Sequence, residues 1–109
     1  MMPLSFILSV LSAQPAQAGG GPASVLVLHN AADAESTEIA QYYADARDIP
    51  QGQLCGVDGV DPTTLTISFT DYETHIQSAV DDCLSTLPDP DEIDYIVLTR
   101  GLPFRVDID

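Results

Sequence analysis

Lysine and tryptophan are absent from this 109-residue chain, and its positive side chains are Arg47, Arg100 and Arg105 alone. Against them stand 17 acidic residues, for a formal net charge of −14. Phosphate backbones and anionic membrane surfaces are held by clustered cations, so this scarcity argues against nucleic acid and anionic lipid as partners. No Lys-Ser or Lys-Thr pair follows a glycine loop, and the Gly19-Gly20-Gly21 run precedes the first strand-like segment instead of following it, so it is not a phosphate loop. Histidines at metal-ligand spacing, a serine in a strand-to-helix elbow and a dinucleotide glycine fingerprint are missing from these residues as well. No cofactor is implied. A protein or small-molecule partner remains open.

The acidic excess has a plain reading, a solvated surface suited to salty surroundings. A sharper one is calcium held by Asp89, Asp91, Glu92 and Asp94. That loop lacks the turn glycine and terminal glutamate of a helix-loop-helix calcium site, so no metal is expected there.

What is present begins with an export pattern. Residues 4–11 are apolar with two serines, the length of a signal-peptide core and far too short to span a bilayer. Residues 12–18 follow as a helix-breaking exit that ends in small-x-small, the pattern signal peptidase accepts. Residues 1–18 therefore read as a signal peptide, although no basic residue precedes the apolar core. The mature chain is expected to be exported, periplasmic or extracellular, with no transmembrane segment. In such a compartment Cys55 and Cys83 can join as a disulfide.

Residues 19–23 read as a flexible lead-in to an α/β domain over 24–109. Residues 24–28 (Ser-Val-Leu-Val-Leu) form a run suited to a strand buried on both faces. A polar turn with His29, Asn30 and Asp33 leads into a helix, with Asp33 or Ser36 as its cap and Ile39, Tyr42, Tyr43 and Ala46 as its apolar face. Ile49-Pro50 ends it, and residues 54–57 form a short second strand. After a Gly, Asp, Pro and Thr-rich loop, Ser68 is the expected cap of a second helix, with Ile67 and Tyr72 at hydrophobic-staple positions. Its stripe of Tyr72, Ile76, Ala79, Val80, Cys83, Leu84 and Leu87 turns Cys83 toward the sheet that holds Cys55. His75 falls outside the stripe and reads as solvated. Residues 95–99 give a third buried-type strand, broken by Gly101 and Pro103, before residues 104–109 resume an extended alternation.

Strand, helix, strand, helix, strand with right-handed crossovers gives an open parallel three-stranded sheet with two helices. It is the beginning of a doubly wound α/β domain, and the uncovered third strand suggests a truncated one.

Asn30, the segment Ser36-x-Glu38-Ile39-Ala40-x-Tyr42-Tyr43-Ala44-x-x-Arg47-x-Ile49-Pro50 and the segment from Tyr95 through Thr99-Arg100-Gly101-Leu102-Pro103-Phe104-Arg105-Val106 carry a likeness. They resemble the opening domain of an uncharacterised family of exported bacterial proteins, whose members show "IA-x-YYA-x-x-R-x-IP" and then "YIVLTKG-x-P-x-R". Arg100 stands where lysine is common. The resemblance implies export and a longer whole protein, and it implies no activity.

Ligands of open parallel sheets sit beyond the carboxyl ends of the strands. Here that edge carries His29, Asn30, Asp33, Asp58, Arg100 and Gly101, with Asn30, Asp33, Arg100 and Gly101 as the ligand-binding candidates. Asn30 offers donor and acceptor together, and Arg100 a fork suited to a carboxylate or phosphate. The plainer alternative is that Asn30 and Asp33 cap the first helix and Arg100 pairs with a surface carboxylate. A Cys-His pair from Cys55 and His29 has the disulfide against it. Two functions follow. One is a non-enzymatic recognition or structural part of a secreted or envelope protein. The other is the front half of an exported hydrolase, on a layout that resembles gingipain-like, caspase-fold peptidases, with its catalytic residues outside this stretch.

Overall fold

The computed structural model describes residues 21–108. The expected signal peptide lies outside them, as do the first two residues of the lead-in. Pro22–Ser24 close a 3-10 turn, which Gln53 ties down by donating from Nε2 to the carbonyls of Pro22 and Val25, each at 2.8 Å.

Three strands form the main sheet: β1 (Val25–Asn30), β2 (Leu54–Val57) and β4 (Tyr95–Leu98). Their order is β2-β1-β4, and both pairings are parallel. The chain steps from β1 to β2 on one side and then crosses back over β1 to β4. With right-handed crossovers, that reversal puts the two connecting helices on opposite faces. Packing agrees. Val27 on one face meets Ala40, Ala44 and Ile49 of the first connection, whereas Leu26 and Leu28 on the other meet Ile76 and its neighbours in the second. The α/β architecture with a parallel three-stranded sheet is as the sequence implied.

Helix α1 (Ala34–Ala46) is capped by Asp33, whose Oδ1 accepts from the Glu35 amide at 3.2 Å. It ends where Asp48 takes a positive φ of 58° and the Ile49 amide returns to the Ala44 carbonyl at 2.9 Å. Its buried stripe is Ser36, Ala40 and Ala44, not the expected Ile39 and Tyr42, of which Tyr42 is 76% exposed. Small side chains let the helix axis approach the sheet closely, and Ser36 is needed there for its hydroxyl.

The second helix spans residues 69–85. It comprises a first turn α2 (Phe69–Asp71), a π-helical stretch Tyr72–Gln77 and α3 (Ser78–Ser85). Ser68 caps it as expected, accepting from the Asp71 amide at 3.1 Å. Tyr72, Ile76, Ala79, Val80, Cys83 and Leu84 all pack on the Leu26–Leu28 face, so the expected stripe holds as far as Leu84, while Leu87 falls beyond the helix end at Ser85. Cys55 and Cys83 form a disulfide, with their Cα atoms 6.0 Å apart.

Two features depart from expectation. The loop before the second helix contains a short strand, β3 (Thr66–Ser68), which pairs in parallel with β5 (Arg105–Asp107) as a separate two-stranded sheet. The Ile67 and Val106 side chains join the main core through it. Strand β4, moreover, has the composition of a doubly buried strand but lies largely open: Ile96 and Leu98 are each 50% exposed. It is an edge strand, and the second helix packs over β1 and β2 instead.

Candidate functional site

The order β2-β1-β4 places the topological switch between β1 and β4, so the crevice at their carboxyl ends is the position to inspect. Asn30 ends β1 there and is fully buried. Its Nδ2 donates to the Val60 carbonyl at 2.8 Å and to the Gly101 carbonyl at 3.0 Å, while Oδ1 accepts from the Ala32 amide at 3.0 Å. One side chain thus joins three loops: those after β1, β2 and β4.

A hydroxyl chain runs beside it. The Asn30 amide donates to Ser36 Oγ at 2.8 Å, Ser36 Oγ lies 3.0 Å from Thr99 Oγ1, and Thr99 Oγ1 donates to the Leu28 carbonyl at 2.9 Å. With the Thr99 proton on Leu28, the Ser36 hydroxyl is left to donate to Thr99, so every member is satisfied in one direction. Ser36 and Thr99 are both buried.

Gly101 closes the crevice from the β4 side. Its φ of +98° suits glycine, and a Cβ there would lie 3.0 Å from Asp33 Oδ2 and 3.2 Å from Ser36 Cβ. Arg100, next to it, forms an exposed ion pair with Glu35. Pairs of this kind contribute about 0–1 kcal/mol, so this one orients the guanidinium more than it stabilises the fold. The structure therefore brings all four candidates together: Asn30, Asp33, Arg100 and Gly101 share one edge. It also shows their existing bonds. Both Asn30 amide hydrogens are committed to carbonyls, Asp33 caps α1, and Arg100 faces Glu35.

The other expected residues fall elsewhere. His29 lies on the α1 face of the sheet beside Gly56, where an added Cβ would come 3.4 Å from its Nε2. His29 Nδ1 is buried without a hydrogen-bond partner. Desolvation holds the imidazole pKa below its ordinary 6.5. The folded state thus binds this proton less readily than the unfolded chain. The His29 contribution is intact above the unfolded pKa and is lost as pH falls through it toward the folded value. The expected result is a urea midpoint that drops more steeply between neutral pH and about pH 5 in the parent than in His29→Gln. Parallel pH profiles for the two proteins would refute it.

Asp58 is exposed on a polar cleft of ≈ 270 Å³ shared with Gly56, Thr74, His75, Asp82 and Cys83. His75 is not simply solvated. Its ring lies over Gly59, whose φ is +81° and where a Cβ would meet Nδ1 at 2.5 Å. The disulfide takes up both thiols, which leaves no free cysteine. Among the described residues no group of three His, Cys, Asp or Glu is placed to hold a metal ion, the Asp89 to Asp94 loop included. Among them, too, no helix is long and apolar enough to cross a membrane.

Sequence reasoning missed two parts of the edge and one surface. Thr99 read only as the end of a strand and Ser36 only as an alternative cap. The surface is an apolar groove of ≈ 210 Å³ between the second helix and the open face of β4, with Leu28 and Ile76 in its lining and Ile96, Leu98, Phe104 and Arg105 around it. Comparison with protein-family models, curated proteins and solved structures returned no match.

Proposed function

We propose that this chain is an exported, acidic, non-enzymatic recognition or structural domain that makes its contact through the open face of β4. The observation that carries the reading is a contrast between two surfaces. At the carboxyl edge the polar groups are spent on one another, through Asn30, Ser36, Thr99 and the Arg100–Glu35 pair. On β4, Ile96 and Leu98 stand half-exposed beside an apolar groove, with Phe104 67% exposed at its margin. Apolar surface gathered in one place marks contact sites. The disulfide is in keeping with an oxidising compartment, and the export pattern of residues 1–18 and the family resemblance point the same way. The hydrolase alternative gains nothing from the thiols, since both are bonded.

Site-specific photo-crosslinking in the secreting cell tests this. A benzoylphenylalanine at position 96 is expected to yield discrete crosslinked species, while the same probe at position 42, on the exposed outer face of α1, yields few. Equal yields at the two positions would overturn the assignment of the surface.

A further inference from the structure

We infer that the polar cleft beside the second helix is a site of thiol–disulfide exchange, where an incoming thiol without anionic groups attacks Cys83 Sγ and displaces Cys55. The bridge joins α3 to β2, on the opposite side of β1 from β4, so the site is independent of the open face of β4.

Access separates the two sulfurs. Cys55 is fully buried in the core around Leu26 and Leu28. Cys83 is half-buried and forms part of the wall of the ≈ 270 Å³ cleft, so a small thiol can approach it without unfolding of the domain. Exchange proceeds by attack of a thiolate on one sulfur of the bridge, and which sulfur is reached decides which one leaves.

The leaving groups differ in the same sense. Attack on Cys55 would expel Cys83 as a thiolate in the last turn of α3, next to Asp82 and at the negative end of the helix dipole. Attack on Cys83 expels Cys55, whose Sγ lies 3.4 Å from the Ala79 carbonyl. The bonded sulfur has no proton to place there, but the thiol formed on opening does, so the released group meets an acceptor already in position. The opposing factor is burial, which disfavours a thiolate in apolar surroundings and makes exchange slower than at an exposed disulfide.

In the first step the incoming sulfur bonds to Cys83 Sγ, the S–S bond breaks, and Cys55 leaves with the electron pair and takes a proton from solvent. A second thiolate then attacks the outer sulfur of the mixed disulfide, forming a small disulfide and releasing Cys83. Two thiols are oxidised and one bridge is reduced.

Charge sets the class of thiol. Asp58 and Asp82 border the cleft, no arginine does, and the chain carries a formal −14. The attacking thiolate is already negative, so a further anionic group is repelled and an ammonium is attracted. Two nearby carboxylates should favour a cationic over an anionic thiol by about fivefold at physiological ionic strength.

The test takes the folded, oxidised, exported protein with cysteamine, 2-mercaptoethanol or 2-mercaptoethanesulfonate. Each rate is divided by the rate of that thiol on 2-hydroxyethyl disulfide, which removes intrinsic nucleophilicity. The expected rates rise linearly with thiol concentration and favour cysteamine over the sulfonate about fivefold. Raising sodium chloride to about 0.5 M should bring the ratio near one, as should Asp58→Asn combined with Asp82→Asn. Acid quenching at partial reaction, followed by peptide mass spectrometry, should find the thiol adduct on Cys83 and the free thiol on Cys55. A rate that reaches a plateau with thiol concentration would mean that the bridge opens only after unfolding, and overturns the site. Adducts on Cys55, or shared evenly between the two, overturn it as well. A ratio near one in the parent at physiological salt overturns the class of thiol assigned.

Discussion

Asn30→Ala is expected to lower the unfolding free energy by about 3–5 kcal/mol, read as a shift in urea midpoint at unchanged slope. The side chain is fully buried, and its removal strands the carbonyls of Val60 and Gly101 and the amide of Ala32. A buried group left without its partner costs about 1–3 kcal/mol, and a small cavity adds to the loss. A domain of this size is stable by roughly 5–15 kcal/mol in all, so the variant should sit near its unfolding threshold. The isosteric Asn30→Asp separates hydrogen bonding from packing. It keeps the volume but turns a two-hydrogen donor into an acceptor facing two carbonyls, so at neutral pH it should be at least as harmful as alanine. Protonation restores one donor. Burial and the facing carbonyls raise the pKa of such a carboxyl in the folded state, so stability relative to the parent should recover as pH falls. An Asn30→Asp protein as stable as the parent at neutral pH would show that these bonds do not hold the loops.

The same residue shows where reading from sequence succeeds and stops. That Asn30 lies at the carboxyl edge of the sheet follows from the element order alone, because β1 is short and a helix follows it. That its amide is already used does not follow, since Val60 and Gly101 are 30 and 71 residues away along the chain. The two helices make the same point. The second is readable because its cap, Ser68, and its large apolar stripe coincide. In α1 the most hydrophobic arc contains Ile39 and Tyr42, but the sheet takes the arc of Ser36, Ala40 and Ala44. Close approach selects for small volume there, and a hydrophobic pattern gives small residues little weight. The β3–β5 ladder is three residues long and joins segments almost forty positions apart, a pairing that local preferences do not encode. For β4 the composition was right and the burial was not, because a strand's cover is supplied by whatever lies beside it.

Removing the disulfide by a Cys55→Ala, Cys83→Ala double substitution is expected to cost about 3–4 kcal/mol, with the single variants similar or worse because each leaves a thiol in the core. The bridge joins residues 28 apart, and closing a loop of that length removes about 3–4 kcal/mol of unfolded-state entropy in the chain model. Its position amplifies the effect. Cys55 lies on β2, fully buried, and Cys83 on α3, so the bond fastens the second helix to the strand farthest from β4. The part of that helix over the Leu28 side of the sheet borders the open groove and has less to pack against. Loss of the bridge should therefore loosen the second helix before α1, which is held separately by Ser36, Ala40 and Ala44. Hydrogen exchange on the parent with and without reductant reads this directly. Amides of residues 72–85 should lose protection ahead of those of residues 36–46. Uniform loss across both helices would mean that the bridge stabilises only through the unfolded chain, and unchanged protection with a midpoint shift below about 1 kcal/mol would refute the assigned role.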